Sequence, residues 1–232
     1  MQTGKKGLYL LLGISLITQA TTSIIGGLIG FGPFIDTSDT AAAMNSIATN
    51  INTFYLSIFL QIVTALVIVA LAAALYQAGK SVNKTAAIIA AGFYLLEVVI
   101  VIIGQITTFA ITEVSQIFIG TGGIGGGDPA LLHAAELLFS VRAFGGAIAM
   151  LPFGLGAILF YFLIMKDGVI PKWLGIWAFI TVPFITVGWT LEAFGVSVPF
   201  ALYVPYVPWE WVAGVVILVK GFSFKNNPPI TT

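Results

Sequence analysis

The sequence contains no cysteine, one histidine and one arginine. Without cysteine there are no disulfides, thiolate metal sites, palmitoylation or thiol nucleophiles. A single histidine excludes bis-histidine haem ligation within the chain, and His133 followed by Glu136 falls short of a metal site. Neither H-E-x-x-H nor G-x-S-x-G occurs. Ser140 lies seven residues past His133, about 10 Å along a helix, too far for a nucleophile–base hydrogen bond. His133 and Glu136 therefore read first as a polar pair at an external interface. No cofactor, metal site or catalytic residue is expected.

Charge is scarce as well. Only 8% of 232 residues are charged and 59% are apolar, against about 25% charged in a soluble domain. So few charges cannot cover a water-facing surface, and the solvent of this chain is lipid. The net charge is zero and no basic cluster exists, which excludes a nucleic-acid partner.

Backbone polar groups in hydrocarbon must be satisfied internally, so the long apolar stretches are helices and the fold class is all-α. Six spans are predicted: Gly7–Phe31, Asn52–Ala78, Lys84–Ile111, Glu136–Met165, Trp173–Phe194 and Phe200–Phe222. Each reaches the roughly 20 residues that a bilayer core requires. The chain is a single six-helix domain, residues 1–232, with an external loop at 113–128 and a loose polar tail at 223–232. All eight lysines fall on one side of that path: Lys5, Lys6, Lys80, Lys84, Lys166, Lys172, Lys220 and Lys225. The opposite connections carry Asp36, Asp39, Glu113 and Asp128. By the positive-inside rule both termini are cytoplasmic, in a cell (inner or plasma) membrane. The N-terminal apolar run of about 25 residues is too long for a cleavable signal core, and no A-x-A site follows it. It is therefore a retained span.

Residues 120–129 read GTGGIGGGDP and satisfy G-x-G-x-x-G. No cation, βαβ unit or P-loop lysine accompanies them, so a flexible external hinge is expected instead of a nucleotide cradle. Asp128 is suited to cap a helix that begins at Pro129.

Inside the predicted spans the few charges are the best functional pointers. Glu97 lies thirteen residues past Lys84 and Glu210 ten residues before Lys220, about 20 and 15 Å from the lysine-bearing face. Arg142 and Glu192 sit nearer the opposite face. Arg142 is expected to pair with Glu192, or failing that with Glu97. One arginine cannot neutralise three glutamates, so Glu97 or Glu210 is expected to be protonated or to face a water-filled cavity. Tyr94 and Gln105 flank the stripe Glu97, Gly104, Thr108; Tyr203, Tyr206, Glu210 and Gly214 form another, beside Trp209 and Trp211. Polar stripes at Ser15, Gln19, Thr22 and at Ser57, Gln61, Thr64 are expected either to bond helix to helix or to line a pathway. Pro152, Pro183, Pro205 and Pro208 all fall in the last three spans, where each removes a helix donor and is expected to kink its helix. Gly26 and Gly30 form a small-xxx-small pair for packing within the bundle or between subunits.

Three stretches, NKTAAIIAAGFYLLEVVI, FYFLIMKDGVIPKWLGIWAF and PWEWVAGVVILVKGF, carry a family resemblance. The middle one holds Gly168, Ile170-Pro171 and Leu174-Gly175 in a G-x-[IL]-P-[RK]-x-L-G pattern. Together they resemble the domain-of-unknown-function 4386 family of prokaryotic multi-pass membrane proteins. That resemblance implies a prokaryotic inner-membrane protein with six spans and implies no activity. Where the family often has an arginine before the third-helix glutamate, this chain has Tyr94.

Three functions fit these observations. The first is a non-enzymatic accessory or ligand-binding bundle whose partners are membrane lipid and a membrane protein or second copy. The second is a proton-linked carrier using Glu97 and Glu210. The third is an external-interface enzyme using His133, Glu136 and Arg142 on a lipid head group.

Overall fold

The computed structural model describes residues 2–31 and 37–223. Asp36, Lys225 and the tail expected to be loose beyond residue 223 fall outside them. Among the described residues there is no strand. The α-helices are α1 (Gln2–Ile29), α2 (Thr40–Thr49), α3 (Ile51–Gly79), α4 (Lys84–Gly120), α5 (Pro129–Lys166), α6 (Lys172–Ala193) and α7 (Trp209–Ser223). Five of them, α1 and α3 to α6, are long and apolar enough to cross a membrane. Their outward faces are apolar, with Leu66, Ile106, Leu137 and Ile180 all exposed, whereas Gln19, Glu97 and Glu210 are buried. An apolar outer surface around buried carboxyl groups belongs to a protein whose solvent is lipid.

The expected sixth helix, Phe200–Phe222, is not continuous. A 3₁₀ turn at Phe200–Leu202 is followed by turns to residue 208, and only Trp209–Ser223 is α-helical. Proline is the physical reason: Pro205 and Pro208 lack the N–H that a helix interior needs, and Pro208 immediately precedes α7. These two prolines break the helix instead of kinking it, while Pro152 and Pro183 lie inside α5 and α6.

Other boundaries moved too. Helix α4 runs to Gly120 and α5 begins at Pro129, so the connection between them spans 121–128, not 113–128. Asp128 caps α5 as its sequence implies, accepting the Ala130 N–H at 2.8 Å on Oδ1 with Pro129 at the first turn. Gly122, Gly123 and Gly125 take positive φ in the turn between. Two helices flank this loop, so the strand that a dinucleotide turn requires is absent from its surroundings. Helix α2 was not anticipated at all. Asp39 caps it through the Ala42 N–H at 2.9 Å, and it buries Met44 and Ile47 against α4 and α5.

Neighbour relations run α7–α1–α3–α4–α5–α6 through broad contacts, and α6 meets α7 again across a thin one. The helices therefore close a ring with one sparse joint. Close approach at the α1–α7 crossing depends on two glycines: a Cβ on Gly13 would lie 2.7 Å from the Gly214 carbonyl oxygen. Gly26 and Gly30 pack inside the bundle, against Gln61 and Ser57 of α3. The α1–α3 seam is also hydrogen bonded, with Ser57 Oγ donating to Gly26 O at 2.7 Å and Thr22 Oγ1 2.7 Å from Thr64 Oγ1. These stripes serve as helix-to-helix glue.

The two ends of the bundle differ. Ser81 Oγ donates to Asp167 Oδ1 at 2.9 Å, and Lys220 Nζ donates to Gly168 O at 2.7 Å. Gly221 abuts Tyr9 near the start of α1. These ties gather the described lysines at one end, above a solid core that includes Leu12, Leu75, Leu163 and Ile217. A second core around Met44, Phe54 and Phe139 closes the opposite end beside α2.

Candidate ligand cavity

Between these cores the ring lines a partly open cavity of about 400 Å³, within the range of small-molecule sites. Helices α1 and α3 to α7, and the turns before α7, all contribute walls. Its polar lining includes Gln19, Gln61, Glu97, Gln105, Arg142, Tyr206 and Glu210. The midplane of the bundle is therefore hollow where both glutamates stand.

Glu210, 6% exposed, is held by neutral donors. Gln19 Nε2 donates to its two oxygens at 3.1 and 3.0 Å, and the Tyr206 hydroxyl donates to Oε1 at 2.9 Å. The only proton of Tyr206 is spent there, so Tyr161, with its oxygen 2.8 Å away, donates to Tyr206. Residues of α1, α5, the turn and α7 thus meet in one network.

Glu97 is the opposite case. It is 4% exposed, and its Oε2 is a buried oxygen with no hydrogen-bond partner. Such a group costs about 1–3 kcal/mol in an otherwise satisfied interior, more if charged. Tyr94, one turn before it, packs edge-on to Phe160 at 5.2 Å and does not reach the cavity wall.

Arg142 pairs with neither Glu192 nor Glu97. Its Nε donates to Thr108 Oγ1 at 3.1 Å, and its guanidinium lies over the Phe31 ring at 3.8 Å. A cation–π face replaces the expected carboxylate, because the C-terminal end of α1 reaches Arg142 and Glu192 is engaged elsewhere. Glu192 accepts from the Tyr203 hydroxyl at 2.9 Å. Among the described residues the one ion pair is His133 Nδ1 to Glu136 Oε2 at 3.3 Å, exposed and outside the cavity lining.

The structure thus brings Glu97, Glu210, Arg142 and Gln105 together around the cavity and leaves Glu192, Trp209, His133 and Glu136 out of its lining. Trp209, 0% exposed, donates Nε1 to Leu174 O at 2.8 Å and fastens α7 to α6. Sequence reasoning missed Phe153 in the lining and Phe31 beside Arg142. Their positions depend on which helices become neighbours, and no local spacing encodes that.

An apolar-surfaced bundle of membrane-length helices around a mainly apolar cavity that holds a few polar groups defines a helical membrane protein. Residues 11–221 match the family described as domain of unknown function (DUF4386), and the chain belongs to that family. No curated protein and no solved structure matches it.

Proposed function

We propose that this protein crosses a prokaryotic inner membrane six times, with both termini cytoplasmic, and binds a small or lipid-like ligand in its central cavity without catalysing a reaction. The observation that carries the ligand reading is Glu97: it lines a cavity of about 400 Å³, and one oxygen of its carboxyl group is buried without a partner. A pure scaffold has no use for such a group, which lowers stability for no return in packing. The lysine-rich end supports the orientation. The sixth crossing combines α7, fifteen residues long, with the irregular turns before it. Non-helical backbone is tolerated at membrane depth where it lines a cavity, as Tyr203, Tyr206 and Val207 do.

A second reading is a proton-linked carrier. It is favoured by two carboxyl groups sharing one cavity beside the thin α6–α7 joint. The external-interface enzyme draws no support from His133 and Glu136, which stand outside the cavity.

Mass spectrometry of small molecules and lipids that co-purify with the protein tests the ligand reading. A Cβ at Gly145 meets open space on the cavity wall, so Gly145→Leu fills the site without disturbing a helix contact. Wild-type protein is expected to retain a species that Gly145→Leu loses; identical extracts refute the reading. The cysteine-free chain also permits single-cysteine topology mapping. In intact cells an impermeant maleimide is expected to label Ile124→Cys and spare Ser81→Cys. The reverse pattern would overturn the orientation.

A further inference from the structure

The cavity is bipolar. At one end the Arg142 guanidinium spends Nε on Thr108 and one face on Phe31. No described residue takes its terminal N–H fork, the geometry that grips a carboxylate or phosphate in two bonds. At the other end stands the unpartnered oxygen of Glu97. Glu210 is not its competitor for a cation, because Gln19 and Tyr206 already supply three hydrogen bonds to that carboxyl group.

The separation is set by α4 itself. Thr108, which Arg142 touches, is eleven residues beyond Glu97 on the same helix, roughly 16 Å at about 1.5 Å per residue. A ligand atom sits about 3 Å from the group it bonds at each end, which leaves on the order of 10 Å between the ligand's own charges. Between the ends, Ile68, Ile100 and Met150 give apolar wall and Gln105 an amide whose one hydrogen bond is a long 3.5 Å contact to Val101 of its own helix.

We propose that the cavity takes an elongated zwitterion, with its carboxylate or phosphate on the Arg142 fork and its ammonium on Glu97. This rests on the ligand reading above and names its class. Each end of such a molecule satisfies a group that the described residues leave open. Short zwitterions, with charges a few ångströms apart, reach only one end. An extended tripeptide, at about 3.3–3.6 Å per residue, spans the distance, and so does an ω-amino acid of equal length.

The test is calorimetric titration of nanodisc-embedded protein. The probes are trialanine, N-acetyl-trialanine, trialanine amide, alanine and ω-aminononanoic acid. Trialanine or ω-aminononanoic acid is expected to bind at least tenfold tighter than either blocked peptide or alanine. Which of the two binds distinguishes a peptide source from an aliphatic one. Arg142→Gln should erase the advantage over the amide, and Glu97→Gln the advantage over the acetylated form. If blocked and free peptides bind equally and Gly145→Leu abolishes all binding, the zwitterion is wrong and the cavity reading stands. If no probe binds, the zwitterion is overturned; if the co-purified extracts of wild type and Gly145→Leu are also identical, both readings fall.

Discussion

The α1–α7 crossing gives the sharpest energetic forecast. These helices carry Gln19 and Glu210, and they approach so closely because Gly13 and Gly214 face each other. A Cβ on Gly13 would sit 2.7 Å from the Gly214 oxygen and 2.5 Å from Leu218 Cγ; one on Gly214 would sit 3.0 Å from the Gly13 oxygen and 2.6 Å from Ile17 Cγ1. Ordinary contact begins at 3.4 Å. The leucine and isoleucine can rotate away, but the carbonyl oxygens belong to rigid helices, so the axes must separate. Overpacking of this kind costs about 1–3 kcal/mol. Replacing a mid-helix glycine by alanine recovers roughly 0.5–1 kcal/mol of helix propensity. Gly13→Ala is therefore expected to destabilise the protein by about 1 kcal/mol net and by no more than about 2.5 kcal/mol. The double variant Gly13→Ala/Gly214→Ala should cost less than the sum, because separation forced by the first methyl makes room for the second, a coupling of at least about 0.5 kcal/mol. Unfolding in mixed micelles of rising sodium dodecyl sulfate fraction measures both. Gly92→Ala, whose Cβ meets nothing within 4 Å, is the control and should be neutral or slightly stabilising. Should Gly13→Ala prove as stable as wild type, or the double variant strictly additive, the close crossing is not what holds α7 in place.

Two further predictions concern single side chains. Glu97→Leu removes an unsatisfied buried carboxyl and is expected to leave stability unchanged or raise it by up to about 2 kcal/mol in the same micelle titration while abolishing ligand retention; a clear loss of stability would mean that Glu97 has a structural partner. Asp128→Ala deletes the α5 cap and should cost about 1 kcal/mol in the same micelle titration, and no change would show that the Ala130 N–H is satisfied without it.

Composition and periodicity made much of this architecture legible. Apolar runs marked the five membrane-length helices, and lysine placement marked the end at which they gather. The depth of Glu97, Glu210 and Arg142 along their spans pointed to a common site, and the cavity contains all three. What stayed hidden depends on three-dimensional neighbours. Nothing in the local spacing says that Gln19 bonds Glu210, since that pair is 191 residues apart and exists only because α1 and α7 cross. Depth alone matches Arg142 to carboxylates, yet the ring of Phe31 occupies the place beside it. Helix α2 had a readable cap in Asp39, but ten residues of modest hydropathy between two long spans look like a connection. The break before α7 was present in Pro205 and Pro208, and hydropathy averaged over a window concealed it.

The thin α6–α7 joint has an experimental consequence. Of the chain's five tryptophans, three bridge this joint. Trp177 Nε1 donates to Pro205 O at 2.8 Å, Trp189 stacks on Tyr203 at 5.6 Å, and Trp209 Nε1 donates to Leu174 O at 2.8 Å. Separation of α6 from α7 and the turns before it would break the bond or stack that each of these indoles makes across the joint. The emission of the protein therefore reports on that joint without any attached label. Ligand-dependent shifts in its wavelength would separate a ring that stays shut from one that parts to admit its ligand sideways from the bilayer.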